Sequence, residues 1–245
     1  MTAILLEGET GSVAHGTNIA TSDHDLTRIV ADSLESMFGI DNEVNSKHVR
    51  DHAVGERSEA GDTEYTVYPL RKFVKLAMGA NPNVMPLLWT NIITHEDVCG
   101  IRDIREQFIN RSVVTSHLGF ATQLTLQLQG RKAMKSNRPE LIEAYGFDTK
   151  SAGHAIRVMT QAIELLTTGG MVMPMLPENR EHIVNIRTGK VPLSDVLAQV
   201  EDLKEQVRVL EDNVRPDTDH EAINAWLTSF YSRHYFSELA AAKVR

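Results

Sequence analysis

The sequence predicts an α+β fold in which a mixed sheet with helices occupies residues 1–95 and an all-helical domain occupies residues 96–245. Three observations predict it. Apolar, β-branched or aromatic runs at Ile4-Leu5-Leu6, Asp23–Val30 and Glu64–Tyr68 read as strands. Amphipathic spacing of period 3.6 begins at Leu70. Beyond Ile101 there is little strand signal, so the division falls near residues 92–100.

The elements follow in order. After the first strand, Gly11-Ser12 opens a turn and a short helix. Asp23 to Val30 forms the second strand, and Glu35 to Asp62, mixing charge, glycine and short apolar stretches, reads as loops around an unplaced strand or helix. Leu70, Phe73, Val74 and Ala77 fall at i, i+3, i+4 and i+7, the stripe of a helix that Asn81-Pro82 stops. Val84 to Trp89 starts another helix. Thr149 reads as the N-cap of a helix over 150–168, closed by Gly169-Gly170. Met171 to Pro177 is a proline-interrupted apolar connector whose methionines read as core filler, and Glu178 to Thr188 is helical up to Gly189. Val196, Val200, Leu203, Val207 and Leu210 form a heptad-like stripe suited to an antiparallel hairpin or a dimer contact. A last helix covers residues 219–235.

Composition narrows the function classes. No apolar run approaches the roughly 20 residues of a membrane span, and the first residues lack the basic region of a signal peptide, so a cytoplasmic protein is expected. One cysteine, Cys99, excludes an intrachain disulfide and a cysteine zinc site. Ten histidines contain no His-Glu-x-x-His or similar helix-spaced ligand pair. A net charge of −8 argues against broad nucleic-acid binding. The one evident basic cluster, Arg131, Lys132, Lys135 and Arg138, leaves room for a local RNA groove.

The chemistry gathers in Gly11-Ser12-Val13-Ala14-His15-Gly16-Thr17 followed by Ser22-Asp23-His24-Asp25. Residues i and i+2 of a strand share a face, so Asp23 and Asp25 project together. Two carboxylates beside a small-residue turn suit a hard cation on one side and a phosphate on backbone N–H groups on the other. The turn is not a P-loop, since no lysine precedes Ser12. Asp-x-Asp and Gly-Ser each occur in ordinary solvated turns; flanked by strands, their combination points to phosphoryl or nucleotidyl transfer. A third carboxylate on a neighbouring strand would complete a two-metal clamp, with Glu64 and Asp62 the candidates. His15 either touches phosphate or shapes its loop. Lys150, His154 and Arg157 share one helix face, either solvated or triphosphate-binding. Ser22 is expected to tolerate substitution.

Gly-Ser-x-x-x-Gly followed by Asp-x-Asp resembles the signature of the DNA polymerase β-like nucleotidyltransferase superfamily. The resemblance sharpens at Tyr68-Pro69-Leu70-Arg71-Lys72-Phe73, at Gly79-Ala80-Asn81-Pro82 and at Asn137-Arg138-Pro139-Glu140-Leu141. It continues at Gly146-Phe147-Asp148-Thr149-Lys150 with His154 and Arg157, and at Glu164-Leu165-Leu166-Thr167-Thr168-Gly169. These stretches are similar to a predicted bacterial and phage branch related to RNA-repair-associated polymerase-β-like proteins. The resemblance spans residues 4 to 230. It departs in Glu64, commonly Asp in the branch, in the inserted Ala80, and in the lack of Ser-x-Leu-Pro around Asn213-Val214-Arg215-Pro216.

The resemblance implies an NTP substrate and two Mg²⁺ ions, for which Mn²⁺ substitutes, with transfer of a nucleoside monophosphate. Asp23, Asp25 and Glu64 match the catalytic metal ligands. Gly11 and Ser12 match the triphosphate contact, with Lys150, His154 and Arg157 as further nucleotide-binding residues. The RNA-repair relatives make an RNA or tRNA 3′ end the expected acceptor, with Arg131, Lys132, Lys135 and Arg138 as its contacts. Alternatives are AMP transfer to a protein or small molecule, or a non-catalytic nucleotide-binding, antitoxin-like partner.

Overall fold

A computed structural model describes residues 3–40, 46–50, 62–130, 138–215 and 217–242. The sheet has five strands, β1 (Ile4–Glu9), β2 (His24–Val30), β3 (Lys47–Arg50), β4 (Thr63–Pro69) and β5 (Ile93–His95), in the order β3-β4-β2-β1-β5. β2 and β4 run parallel; the other pairs are antiparallel. The three expected strands are present and lie side by side at the centre.

Helices α1 (Ser12–His15) and α2 (Leu34–Phe38) flank β2, and α3 (Leu70–Met78) follows β4 directly. Leu70, Phe73, Val74 and Ala77 are the buried face of α3. That helix ends earlier than Asn81-Pro82 would dictate: Gly79 caps it, and Ala80 turns the chain at φ 46 with its N–H on Ala77 O, 2.8 Å. α4 (Met85–Trp89) then leads to β5, which sequence periodicity does not reveal.

The described chain from Ile101 onward contains no strand. A 3-10 turn at Arg102–Phe108 precedes α5 (Ser112–Leu128), α6 (Pro139–Tyr145), α7 (Thr149–Thr168), α8 (Pro177–Arg187), α9 (Leu193–Val209) and α10 (His220–Ala242). α7 is the hub, packed by α5, α8 and α9. Its N-cap is Asp148 rather than Thr149: the Asp148 carboxylate accepts from Ser151 N at 3.0 Å, while the Thr149 hydroxyl donates to Arg187 O at 3.0 Å. The stripe of α9 is internal packing; Val196, Val200 and Val207 are buried, and the helix lies on α7 and α5. Met171, Met173 and Met175 are core.

The buried core runs without a break from the sheet into the helices. At the end of β2 remote from Asp25, the buried Asp32 carboxylate accepts from Tyr231 Oη and from Arg71 N, the latter at 3.1 Å, and Tyr235 Oη donates to Asp32 O. These bonds return α10 to the sheet. Around the departing 213–216 stretch, Arg111 N donates to Arg215 O at 3.0 Å and Asn110 Nδ2 to Thr218 Oγ1 at 2.7 Å. Among the described residues no helix is long and apolar enough to cross a membrane.

Gly119 lies exposed inside α5, and a Cβ there meets nothing within 4 Å. Gly119→Ala is therefore expected to stabilise the protein by about 0.5–1 kcal/mol, since alanine loses less backbone entropy in a helix. Chemical denaturation of the two proteins checks this.

Candidate active site

The site forms where β1 ends and β2 begins. Thr10 N donates to Asp25 O at 2.9 Å, and the Thr10 and Thr27 hydroxyls lie 2.8 Å apart. This stitching brings the Gly11 turn over Asp25. A Cβ on Gly11 would stand 2.1 Å from Asp25 Oδ2 and 2.5 Å from Asp25 Cβ. Glycine is required here by close approach, not by backbone angle, since its φ is −80°. Ser12 follows, with a buried hydroxyl that has no hydrogen-bond partner among the described residues.

Asp25 stands in register with Glu64 across the parallel β2–β4 pair. Residues opposed in register share a face, so both carboxylates leave the sheet on the same side. Asp23 immediately precedes the strand. Burial pushes the Asp25 carboxyl above the usual carboxylate range; Asp23 and Glu64 add to the rise, and Lys150 and Arg157 oppose it. The β4 carboxylate acting on Asp25 is Glu64; Asp62 lies just before the strand, its carbonyl accepting from His24 N at 2.8 Å.

α7 forms the facing wall. Lys150 Nζ is 3.5 Å from Asp23 Oδ1. Burial draws the Arg157 guanidinium down to about 10, with Asp25 favouring its charge and Arg187 opposing it. His154 packs edge-on to Phe120, ring centroids 5.0 Å apart, and its buried Nε2 has no partner among the described residues. Burial, then Arg157, Arg138 and Lys150, hold its pKa well below the ordinary range, which keeps the ring neutral. His15 is fully buried beneath the turn, its Nδ1 3.1 Å from Gln161 Nε2 and its carbonyl accepting from Met175 N at 3.1 Å. Those contacts support loop shaping. Arg138 joins the α7 N-terminus through Asp148, 3.2 Å away. Arg131, Lys132 and Lys135 lie outside the described residues.

Sequence reasoning missed three participants. His24, between the two aspartates, points away from them and places Nδ1 3.0 Å from the buried Glu9 carboxylate. Arg187, at the end of α8, is buried and donates to Thr17 O and to Ser22 Oγ, the latter at 3.2 Å. The Ser22 hydroxyl, at a position expected to tolerate substitution far better than the aspartates, also accepts from Ile19 N at 2.9 Å. An arginine in a last helical turn reads as an ordinary dipole-compensating cation, so no local signal marks Arg187.

The donor set of Asp23, Asp25 and Glu64 has the chemistry a hard divalent cation takes, anionic oxygens from neighbouring backbone positions beside the Gly11 turn. Among the described residues no three His, Cys, Asp or Glu side chains are drawn as tightly together as a metal cage requires. Lys150 provides positive charge beside them.

The family to which the chain belongs makes the protein a nucleotidyltransferase. The chain belongs to the RNA repair pathway DNA polymerase beta family, whose model matches residues 1–232. Among solved structures it is similar to spectinomycin adenyltransferase AAD(9) from Enterococcus faecialis, crystallised with ATP and spectinomycin, at 12% identity over 84% of this chain and 92% of that one, TM-score 0.41. It is also similar to a nucleotidyltransferase-like protein from Exiguobacterium sibiricum 255-15, at 11% identity over 86% of this chain and 68% of that one, TM-score 0.29. No curated protein matches it significantly.

Proposed function

We propose that this enzyme transfers a nucleoside monophosphate from an NTP to an acceptor hydroxyl in a Mg²⁺-dependent reaction in the cytoplasm, and that the acceptor is an RNA 3′ end, such as that of tRNA. The observation that carries the proposal is the register of Asp25 with Glu64 beside Asp23, faced by Lys150 and Arg157. Carboxylates suited to metal stand beside cations suited to phosphate, Lys150 Nζ lying 3.5 Å from Asp23 Oδ1.

Asp23, Asp25 and Glu64 would hold two Mg²⁺ ions, or Mn²⁺ in their place, which would supply Lewis-acid activation of the attacking hydroxyl and charge neutralisation at the leaving group. The chain's own residues orient the triphosphate. Ser12 Oγ is a buried donor in need of an acceptor, which a phosphate oxygen provides. Lys150 and Arg157 bind the phosphate oxygens and offset charge on the departing pyrophosphate. The acceptor hydroxyl gives up its proton to solvent as its oxygen forms a bond to the α-phosphorus, the bond from that phosphorus to the bridging oxygen breaks, and pyrophosphate leaves. The family's RNA repair assignment favours RNA over a protein or small molecule.

Lys150→Ala and Arg157→Ala are each expected to raise KM for NTP by roughly 10- to 150-fold, the loss of one charge-assisted bond of about 1.5–3 kcal/mol. An unchanged KM with a lowered melting temperature would make both residues structural. The acceptor is tested by incubating the protein with each α-labelled NTP, Mg²⁺ and total cellular RNA. Label in RNA that is removed by ribonuclease supports the proposal; label in protein or in a small-molecule fraction overturns the RNA assignment, and no label anywhere favours a non-catalytic nucleotide binder.

A further inference from the structure

Arg187 has no place in the chemistry above, yet few residues in the site are held from more directions. Its guanidinium donates to Thr17 O and to Ser22 Oγ at 3.2 Å, spanning the two ends of the loop between α1 and β2. Ser22 Oγ is already bound by Ile19 N at 2.9 Å, so the loop closes on itself around one hydroxyl, and the guanidinium locks it from outside. The next residue in the chain is Asp23. The main chain of Arg187 reaches the opposite wall: its carbonyl accepts from Thr149 Oγ1 at 3.0 Å, and Lys150 follows Thr149. α8 comes close enough to do this because α7 carries Gly153, where a Cβ would stand 3.1 Å from Arg187 Cγ and 3.4 Å from Ile183 Cγ2.

We infer that Arg187 is a positioning residue that registers the metal-binding side of the cleft against its phosphate-binding side: its side chain fixes the loop that sets Asp23, and its carbonyl fixes the turn that sets Lys150. The fork is essential. One guanidinium presents several N–H groups in a plane and bonds two loop atoms at once, whereas a lysine presents a single ammonium centre on a flexible stem. Burial, with only 8% of the residue exposed, spares these bonds from competition with water. The 3.5 Å separation of Lys150 Nζ and Asp23 Oδ1 is the distance this anchor sets. The inference rests on nucleotidyl transfer at this site and is independent of the acceptor.

The test compares wild type, Arg187→Lys, Arg187→Gln and Ser22→Ala as full-length proteins, by pyrophosphate release from Mg·ATP with total RNA and by amide hydrogen exchange without metal or nucleotide. Arg187→Gln is expected to lower kcat about 100-fold, the cost of a misplaced catalytic group, with KM for ATP changed less than threefold. It should also speed exchange across residues 17–22 while leaving β1 and β4 unaffected. Arg187→Lys keeps the charge but not the fork and should recover less than a tenth of the lost kcat. Ser22→Ala, which removes one partner and no packing, should show the same pattern in weaker form and keeps the test decisive if the Arg187 variants fold poorly. A tenfold rise in KM with kcat retained would make Arg187 a phosphate ligand and overturn the inference. So would full activity per folded molecule, or exchange at 17–22 equal to wild type. The exchange result stands on its own if RNA proves to be the wrong acceptor.

Discussion

Asp25→Asn is expected to reduce nucleotidyl transfer by about 10³-fold or more, because it removes a charged oxygen from the point where transition-state charge must be met. The substitution changes little volume, so the protein should remain folded. It should in fact melt higher than wild type in metal-free buffer at neutral pH. The sign follows from the carboxyl itself. Burial and the neighbouring Asp23 and Glu64 raise its pKa in the folded protein, against the weaker pull of Lys150 and Arg157. The folded state therefore holds its proton more tightly than the unfolded chain does. Above the unfolded pKa, ionised Asp25 is a cost to folding that grows as pH rises through the raised value. Asparagine removes that cost at pH 7 and has no such advantage below the carboxylate range. Added Mg²⁺ should reverse the order, stabilising wild type through binding to the native state and the variant far less. Thermal melts at neutral and acidic pH, with and without Mg²⁺, check each part. A metal-free variant less stable than wild type at pH 7, or an equal response of both proteins to Mg²⁺, would contradict this reading of the carboxylates.

The second large effect is expected at a residue with no functional group. Gly11→Ala places a methyl 2.1 Å from Asp25 Oδ2 and 2.7 Å from Asp25 Cγ, so the carboxylate must move or the turn must lift. Either shift breaks the geometry that Thr10 imposes by bonding Asp25 O at 2.9 Å. Displacement of a catalytic group by about 1 Å costs on the order of 100-fold in rate. Gly11→Ala should therefore lose about that much transfer and also melt lower, in contrast to Gly119→Ala, which meets open space. Kinetics and melting of the two variants side by side provide the check. Wild-type transfer by Gly11→Ala would mean that Asp25 does not need its present position.

What the sequence reveals of this molecule is what repeats locally. The stripe Leu70, Phe73, Val74, Ala77 is legible because helix periodicity and burial coincide, and those residues are the buried face of α3. Asp23 and Asp25 stand out in the sequence because a pattern that is ordinary in solvated turns is here joined to a glycine turn and flanked by strands. β3 and β5 are not legible. Lys47–Arg50 is a short basic edge strand, and Ile93–His95 has three residues whose pairing with β1 is a matter of backbone, not of side-chain pattern. The α9 stripe shows the limit of periodicity: it marks a packed face but does not say whether the partner is α7 of the same chain or a second copy. Arg187 and Ser22 are illegible for a related reason. They meet across 165 positions of sequence, and neither residue type is unusual where it occurs. The N-cap of α7 turns on a similar point, since Asp148 and Thr149 are both good capping residues and only the contact of Thr149 with Arg187 O decides between them.

The measurement that bears most directly on the central claim is a comparison of NTP labelled at the α-phosphate with NTP labelled at the γ-phosphate, each incubated with Mg²⁺, total RNA and either wild type or Asp25→Asn. Cleavage between the α- and β-phosphates predicts that α-label becomes covalently attached to the acceptor with wild type only, and that γ-label leaves entirely as pyrophosphate. Transfer of γ-label to any acceptor, or α-label transfer undiminished in Asp25→Asn, would contradict the account.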